Sequence, residues 1–412
     1  MSGPSIRNWE FARALAKNHQ VVLAAPNHPE ISAEGFEIIS HRSEDFDERL
    51  KESRVLIAQN LTIPLAFKAK KGGLKIIIDA YDPLPLEFLE LFKGESFKKQ
   101  KAKQSSAINQ LTLNFKMADG IICASEKQRD LWTGFLLANQ LIDPKRYEKD
   151  PGFSHFIDVV PFGLPTPLPV KDGPGIRQKF NLAQGDKIIL WGGGIWNWFD
   201  PLTLINAIKI IGRNDIKLVF MGMKNPDPTV PEMEMARQAV ALAKELNLLG
   251  KNVYFNDGWV PYNERHNYFL EASLGVSTHF AHLETRFSFR TRMLDYIWAG
   301  LPIVATKGDS FAELIEKEKI GITVPYEDPQ ALAHVITTLL DDPHKMELMK
   351  INLARLQPQF TWDKAIAPIE KMIKLIHQPS HRFQDLKAIL SFTTQKVREK
   401  GLLPSLLKCL GV

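Results

Sequence analysis

Two stretches of this chain concentrate side chains able to handle a charged ligand. In the first, Arg286, Ser288, Arg290, Thr291 and Arg292 crowd a loop and the first turn of a helix expected over residues 290–299, where Met293, Ile297 and Trp298 fall at helical spacing. Gly300 stands where a left-handed C-terminal cap belongs, and Leu301 to Thr306 then reads as a buried strand. Cations at a helix N-terminus oppose the macrodipole, which prefers anions there. Three arginines in that place make sense if they share it with an anion such as a phosphate. The plainer alternative is a surface arginine cluster paired to Glu284 and Asp295. In the second stretch, the strand expected over Lys187–Trp191 runs into Gly192, Gly193 and Gly194 ahead of a helix from Leu202. Consecutive glycines between a strand and a helix let backbone N–H groups approach a diphosphate closely, although glycines alone would also serve a tight turn.

The stretch Leu283–Thr306, LETRFSFRTRMLDYIWAGLPIVAT, resembles the donor-binding signature of family 4 glycosyltransferases, enzymes of GT-B architecture. Many of these read Pro-x-Lys-x-x-Glu-Tyr-x-Ala-x-Gly-x-Pro-Val-Val. Arg292 takes the Lys place and Asp295 the Glu place, while Tyr296, Ala299, Gly300 and Pro302 match. The resemblance implies that Asp295 grips the ribose hydroxyls of a nucleotide sugar, since a carboxylate accepts from two neighbouring hydroxyls. It places Gly192, Gly193 and Gly194 at the donor diphosphate together with Arg286 and Ser288, and the loop holding Trp259 and Val260, with Tyr262, against the base. It makes Arg290, Arg292 and Tyr81 the candidate catalytic residues, Tyr81 standing where members often offer a histidine near the sugar. The chain also departs from the pattern. The position eight before Asp295, often a second glutamate, is Phe287, and the nearest acid is Glu284. The Gly-Arg and Lys that usually meet the diphosphate become Gly194 and Phe199. Charge from Arg286, Arg290 and Arg292 is the expected compensation.

The elements that must position these residues follow an α/β alternation. Apolar runs at Val21–Ala24, Phe36–Ile39, Val55–Ala58, Ile76–Asp79 and Gly120–Cys123 read as strands of a parallel sheet covered on both faces. Helices are expected at 44–52, 61–70, 84–92, 97–116 and 125–138. The first helix, with Ile6, Trp9, Ala12 and Ala16 as its stripe, has no strand before it, so one N-terminal strand is expected to be missing between Val21–Ala24 and Val55–Ala58. Val159–Pro167, rich in proline, reads as a domain junction. Two Rossmann-like doubly wound domains facing a cleft are expected: 1–165 on the acceptor side, 166–360 for the donor, a crossover helix over 361–378, and an amphipathic basic tail over 379–412.

With 412 residues and 44% hydrophobic content the chain can bury sizeable cores, and a net charge of +5 favours anionic ligands only mildly. Two cysteines imply no disulfide framework, and no signal peptide or membrane-spanning run is visible, which fits the cytoplasm. Lysines at 93, 98, 99, 101 and 103 among Phe92 and Phe97 suit either a solvated helix or contact with the inner face of an anionic membrane. No Asp-x-Asp site with supporting ligands and no nucleic-acid motif is visible. The expected activity is that of a retaining, metal-independent glycosyltransferase of the hexosyl type. It would need no cofactor beyond its nucleotide-sugar substrate, and would act on a glycan, lipid-linked or small-molecule acceptor. A nucleotide-sugar epimerase on the same fold and a non-catalytic glycan- or nucleotide-binding protein are the rival readings.

Overall fold

A computed structural model describes residues 3–29, 31–224, 230 and 232–376. The expected basic tail over 379–412 lies outside them. The chain divides into two compact units. Of the described residues, one, the C-terminal unit, joins 162–365 with 3–8; the other, the N-terminal unit, joins 9–161 with 366–376.

The N-terminal unit holds six strands, β1 (Val22–Ala25), β2 (Glu37–Ser40), β3 (Val55–Ala58), β4 (Lys75–Asp79), β5 (Gly120–Cys123) and β6 (Ile157–Val159), all paired in parallel. They form two sheets, β1-β2 and β3-β4-β5-β6. No ladder joins β1 to β3 among the described residues, and both of these strands are only partly buried, whereas Ile76, Ile77, Ile78, Ile121, Ile122 and Cys123 in β4 and β5 are fully enclosed. Continuous Ile runs fit strands packed on both faces. Phe115 and Trp132 meet edge to face at 5.7 Å beneath this sheet, and the Trp132 indole donates to Ala80 O at 2.8 Å. The expected helices are present with small shifts, as Phe46–Glu52, Ile63–Lys71, Leu84–Leu91, Phe97–Met117 and Glu126–Ala138. Ser125 caps the last of these by accepting from Gln128 N. The first helix, Gly3–Leu15, buries a different stripe from the one expected: Arg7, Glu10, Phe11, Ala14 and Leu15 are enclosed with Ala12, while Ile6, Trp9 and Ala16 are half-buried. Trp9 packs edge-on against Phe36 at 5.3 Å. In the lysine-rich helix Phe97–Met117 the opening Phe97 is 79% exposed. Lys93 and Lys99 are paired to Glu90 and Glu95.

Among the described residues the C-terminal unit has one continuous parallel sheet of six strands: β7 (Lys187–Gly194), β8 (Ile216–Gly222), β9 (Val253–Phe255), β10 (Leu274–Ser277), β11 (Ile303–Thr306) and β12 (Gly321–Val324). Their order is β12-β11-β10-β7-β8-β9. Strand order reverses between β7 and β10, the topological switch point outside whose carboxyl ends doubly wound sheets bind ligands. Local sequence starts the helices here in a repeated way. Asp200-Pro201, Asp328-Pro329 and Asp342-Pro343 each supply a carboxylate that accepts from the N–H three residues on, followed by a proline pre-set for the first helical position. The closing helix is broken, running Trp362–Ala365 and then Ala367–Ile376; the break at Ile366 is where the chain passes from one unit to the other.

Candidate donor site

The expected helix is present as Thr291–Trp298, with Gly300 beyond it at φ +65°, the left-handed cap that the sequence calls for. A short helix that the sequence did not announce, Leu283–Phe287, precedes it, with the His282 ring accepting from Thr285 N. The glycines differ from expectation. They are the end of β7 itself rather than a turn after it: Gly194 pairs with Gly222 of β8 across a bulge that begins at Trp191, and Gly193 sits at φ +80°. The bulge and the left-handed residue let the strand bend without ending its ladder. A Cβ on Gly194 would come within 3.2 Å of the Trp259 ring, so glycine there makes room for that indole.

Helix and glycine segment meet directly. The Gly192 N–H donates to the Tyr296 hydroxyl at 2.8 Å, and that hydroxyl lies 3.0 Å from Leu190 O and 2.9 Å from Val276 O, tying β7 to β10. Burial pushes the Tyr296 phenol up to about 12. One turn earlier, the Arg292 guanidinium donates from Nη2 to Gly194 O at 2.8 Å. Arg292 is 7% exposed, and its Nη1 finds no partner among the described residues. Among the described residues no carboxylate pairs with it; instead it lies over the rings of Phe199 (4.1 Å) and Trp191 (4.6 Å). Burial lowers its pKa to about 10, with Tyr296 and then Asp295 opposing.

Arg290 stands in a different environment. Its two terminal nitrogens hold Glu284 in a bidentate pair at 2.7 and 2.6 Å, both side chains buried, and the Ser288 hydroxyl donates to the same carboxylate. The plainer sequence reading therefore holds for Arg290 and Glu284, but as a buried pair. The arginine cluster is split: Arg286 is exposed, Arg290 is neutralised with Ser288 beside its partner, and Arg292 is enclosed without an ion-pair partner among the described residues. Asp295 is half-buried and takes Arg265 rather than either arginine of its own helix, Nε to Oδ1 at 3.1 Å. Burial raises its carboxyl above the ordinary range, and the Arg265 charge works against that rise. Arg265 is itself sandwiched between Tyr262 (3.7 Å) and Trp298 (4.5 Å), so one face of Tyr262 is already covered. Trp259 is half-buried and Val260 buried. Tyr81 belongs to the N-terminal unit, buried after β4, its carbonyl accepting from Gln128 Nε2 at 2.6 Å.

Sequence reasoning missed Arg265 and Phe199. The first stands in no motif and in no element expected from the sequence. The second registered only as the absence of a lysine. Among the described residues no group of three His, Cys, Asp or Glu side chains could hold a metal ion, and no helix is long and apolar enough to cross a membrane.

Residues 186–342 match the family model of glycosyl transferases group 1. That span takes in the six strands described for the C-terminal unit and the site residues just described, Tyr81 excepted. A comparison with curated protein sequences gives no match. Among solved structures, a sucrose-phosphate synthase from Thermosynechococcus elongatus superposes with a TM-score of 0.62 at 18% identity, covering 92% of this chain and 94% of that one. WaaG, a glycosyltransferase involved in lipopolysaccharide biosynthesis, gives 0.59 at 18% identity over 92% and 97%. HepE of Anabaena in complex with UDP-glucose gives 0.60 at 15% identity over 92% and 97%. The chain has the α/β fold of GT-B glycosyltransferases, with parallel sheets in both units.

Proposed function

We propose that this protein is a retaining glycosyltransferase of family 4 type that moves a hexosyl group from a nucleotide sugar to an acceptor hydroxyl, with the donor held by the C-terminal unit. The observation that carries this reading is the bond from Arg292 to Gly194 O. It joins the two stretches singled out by their chemistry, far apart in sequence, at the switch point of one sheet. The solved complex of HepE with UDP-glucose supports a nucleotide-sugar donor. In this reading the Asp295 carboxylate accepts from the ribose hydroxyls, the base lies by Trp259 and Val260, and the leaving diphosphate lies at the end of β7. Fixed donors aimed at developing negative charge in an enclosed site supply electrostatic stabilisation, and binding both sugars supplies orientation. A cationic side chain meets the diphosphate charge, so the reaction is expected to survive EDTA. The lysines and exposed Phe97 at the start of Phe97–Met117 fit contact with anionic lipid bearing the acceptor.

Nucleotide sugars are screened by thermal shift; a donor at 100 times its dissociation constant adds roughly 2.7 kcal/mol to stability. The donor found is then incubated with and without candidate acceptors, and free nucleotide is measured. Nucleotide release that requires acceptor supports the transferase. Interconversion of the sugar without acceptor would make the protein an epimerase, and binding without turnover a nucleotide-binding protein.

A further inference from the structure

We infer that Arg292 is the anion ligand of the donor site and that Phe199 is its positioning residue, a ring doing the placing where the loop after β7 has no cation of its own. The inference rests on the donor reading for the identity of the ligand, a diphosphate, but the site stands on its own geometry. Residues 195–200 are Ile-Trp-Asn-Trp-Phe-Asp, so the segment between the glycines and the next helix carries no positive charge. Phe199 is fixed at both levels. Its backbone bridges antiparallel to His279, and the neighbouring Asp200 N–H donates to Thr278 O at 3.0 Å. Its ring is buried and stands edge to face with Trp191 at 5.6 Å.

Both guanidinium groups of the 290–292 turn lie over that ring, Arg292 at 4.1 Å and Arg290 at 4.7 Å. They are not equivalent. The charge of Arg290 is already met by Glu284. Arg292 has only ring faces and one carbonyl, with a buried nitrogen left over. A buried cation without a carboxylate is costly, and an aromatic face returns only part of that cost. A bound anion supplies the rest, and two oxygens of a diphosphate suit the planar fork of a guanidinium. Arg290 and Glu284 brace the turn, and Arg292 makes the contact. The Asp295 carboxylate takes Arg265, and the rings of Phe199 and Trp191 lie under the Arg292 guanidinium where it meets Gly194.

Full-length wild type, Phe199→Leu, Phe199→Trp, Arg292→Lys and Arg292→Met are titrated calorimetrically with inorganic pyrophosphate, with unfolding midpoints recorded for each. A nucleoside bearing the donor's base serves as a control that carries no phosphate. Wild type binds pyrophosphate, and Arg292→Met abolishes the binding. Phe199→Leu weakens it roughly tenfold and Phe199→Trp, which keeps an aromatic face, no more than about threefold. Arg292→Lys, which keeps the charge but loses the fork, falls between them. Nucleoside affinity stays constant throughout. Wild-type pyrophosphate affinity in Arg292→Met overturns the inference, as does wild-type affinity in Phe199→Leu. If Phe199→Leu does not fold, equal loss in Phe199→Trp and Arg292→Met, or loss of nucleoside and pyrophosphate together, overturns it as well. The expected pattern in a protein that turns over no nucleotide sugar sinks the transferase reading and leaves the anion site standing.

Discussion

The sheets of the two units are built from the same alternation and end differently. The C-terminal sheet is continuous over six strands, and its central pair, β7 and β10, is locked by the Tyr296 hydroxyl. The N-terminal sheet comes in two pieces, two strands and four, with β1 and β3 only partly buried at the break. Apolar runs report that a segment is a strand covered by helices; they do not report which strand lies beside it. The continuous sheet is also the one whose strand ends carry the candidate donor-site residues. The stiffness of a site is the stiffness of what lies under it. The contrast to test is a rigid, polar-braced unit against one whose close contacts can give.

The largest effect is expected at the brace. Glu284→Ala strands the buried Arg290 charge and should cost about 3–5 kcal/mol by urea denaturation. The double variant Glu284→Gln with Arg290→Met, which removes both charges, should recover most of it. The corresponding change in the N-terminal unit is milder. Asp119 pairs with Lys70 and accepts from Ile76 N at 2.8 Å, and Asp119→Asn should cost about 1.5–3 kcal/mol. Equal losses would erase the distinction between the units.

Next in size are two glycine substitutions in matching strands. A Cβ at Gly275 of β10 would stand 2.5 Å from the Tyr296 ring, which its hydroxyl contacts hold in place. Gly275→Ala should cost about 1–3 kcal/mol as overpacking. At Gly120 of β5 the same Cβ meets the Met372 sulfur at 2.3 Å, the flexible part of an adaptable side chain. Gly120→Ala should cost less than about 1 kcal/mol. Similar melting shifts for the two would mean that the N-terminal core is as rigid as the other.

Acid separates the units in a third way. Burial, with the Arg290 charge adding to it, holds the His279 pKa well below 6.5, so the folded unit keeps this ring neutral. Between that depressed value and 6.5 the unfolded chain binds the extra proton, so stability is complete above pH 6.5 and falls as pH drops below it. Glu370 of the N-terminal unit is lowered from 4.5: burial opposes the shift, but hydrogen bonds from His19 and Asn18 prevail. Its contribution is present above pH 4.5 and is lost only below it. Melting followed from pH 7.5 to 4 should show the C-terminal transition moving first, and His279→Gln should flatten its slope.

The smallest effect is expected at Arg265. Arg265→Met frees Asp295 from its partner and should weaken nucleotide binding by about 1 kcal/mol or less, since the carboxylate is partly exposed. The weakening should be smaller for a 2′-deoxynucleotide. Equal weakening of both would take Asp295 away from the ribose.

Much of this was legible in the residues because it is local. The Asp-Pro helix starts, the stop at Gly300 and the β-branched runs of β4, β5 and β11 declare themselves within a few positions. The glycine segment and the arginine-rich turn suggested an anion site for the same reason. What stayed hidden depends on neighbours distant in sequence. Nothing near Arg290 says that Glu284 takes both its terminal nitrogens while Arg292, two residues on, takes none of that charge. Phe199 reads as a lost lysine until its ring is seen beneath two guanidinium groups. Arg265 reaches Asp295 across 30 residues, and its stacking on Tyr262 and Trp298 has no signature in the chain order. The burial of Arg7 and Glu10 in the first helix ran against the apolar stripe, because a charged side chain gives no sign in the sequence that it will be enclosed.

The neighbourhood of β7 and β10 has a consequence for the order of synthesis. Ile189 finds its partner Leu274 some 85 residues later. At the ~5–20 residues per second of translation, the middle of this sheet stands open for about 4–17 s after β7 has been made. The edges of the unit wait longer still, because Leu164 N donates to Phe360 O. Non-local closures of this kind slow folding and expose strand edges meanwhile. The stretch Lys187–Trp191, apolar and β-prone, is then the part of a nascent chain that a chaperone would be expected to hold. The arginine turn of the candidate donor site follows later still, because Arg292 is made 98 residues after the Gly194 carbonyl it meets.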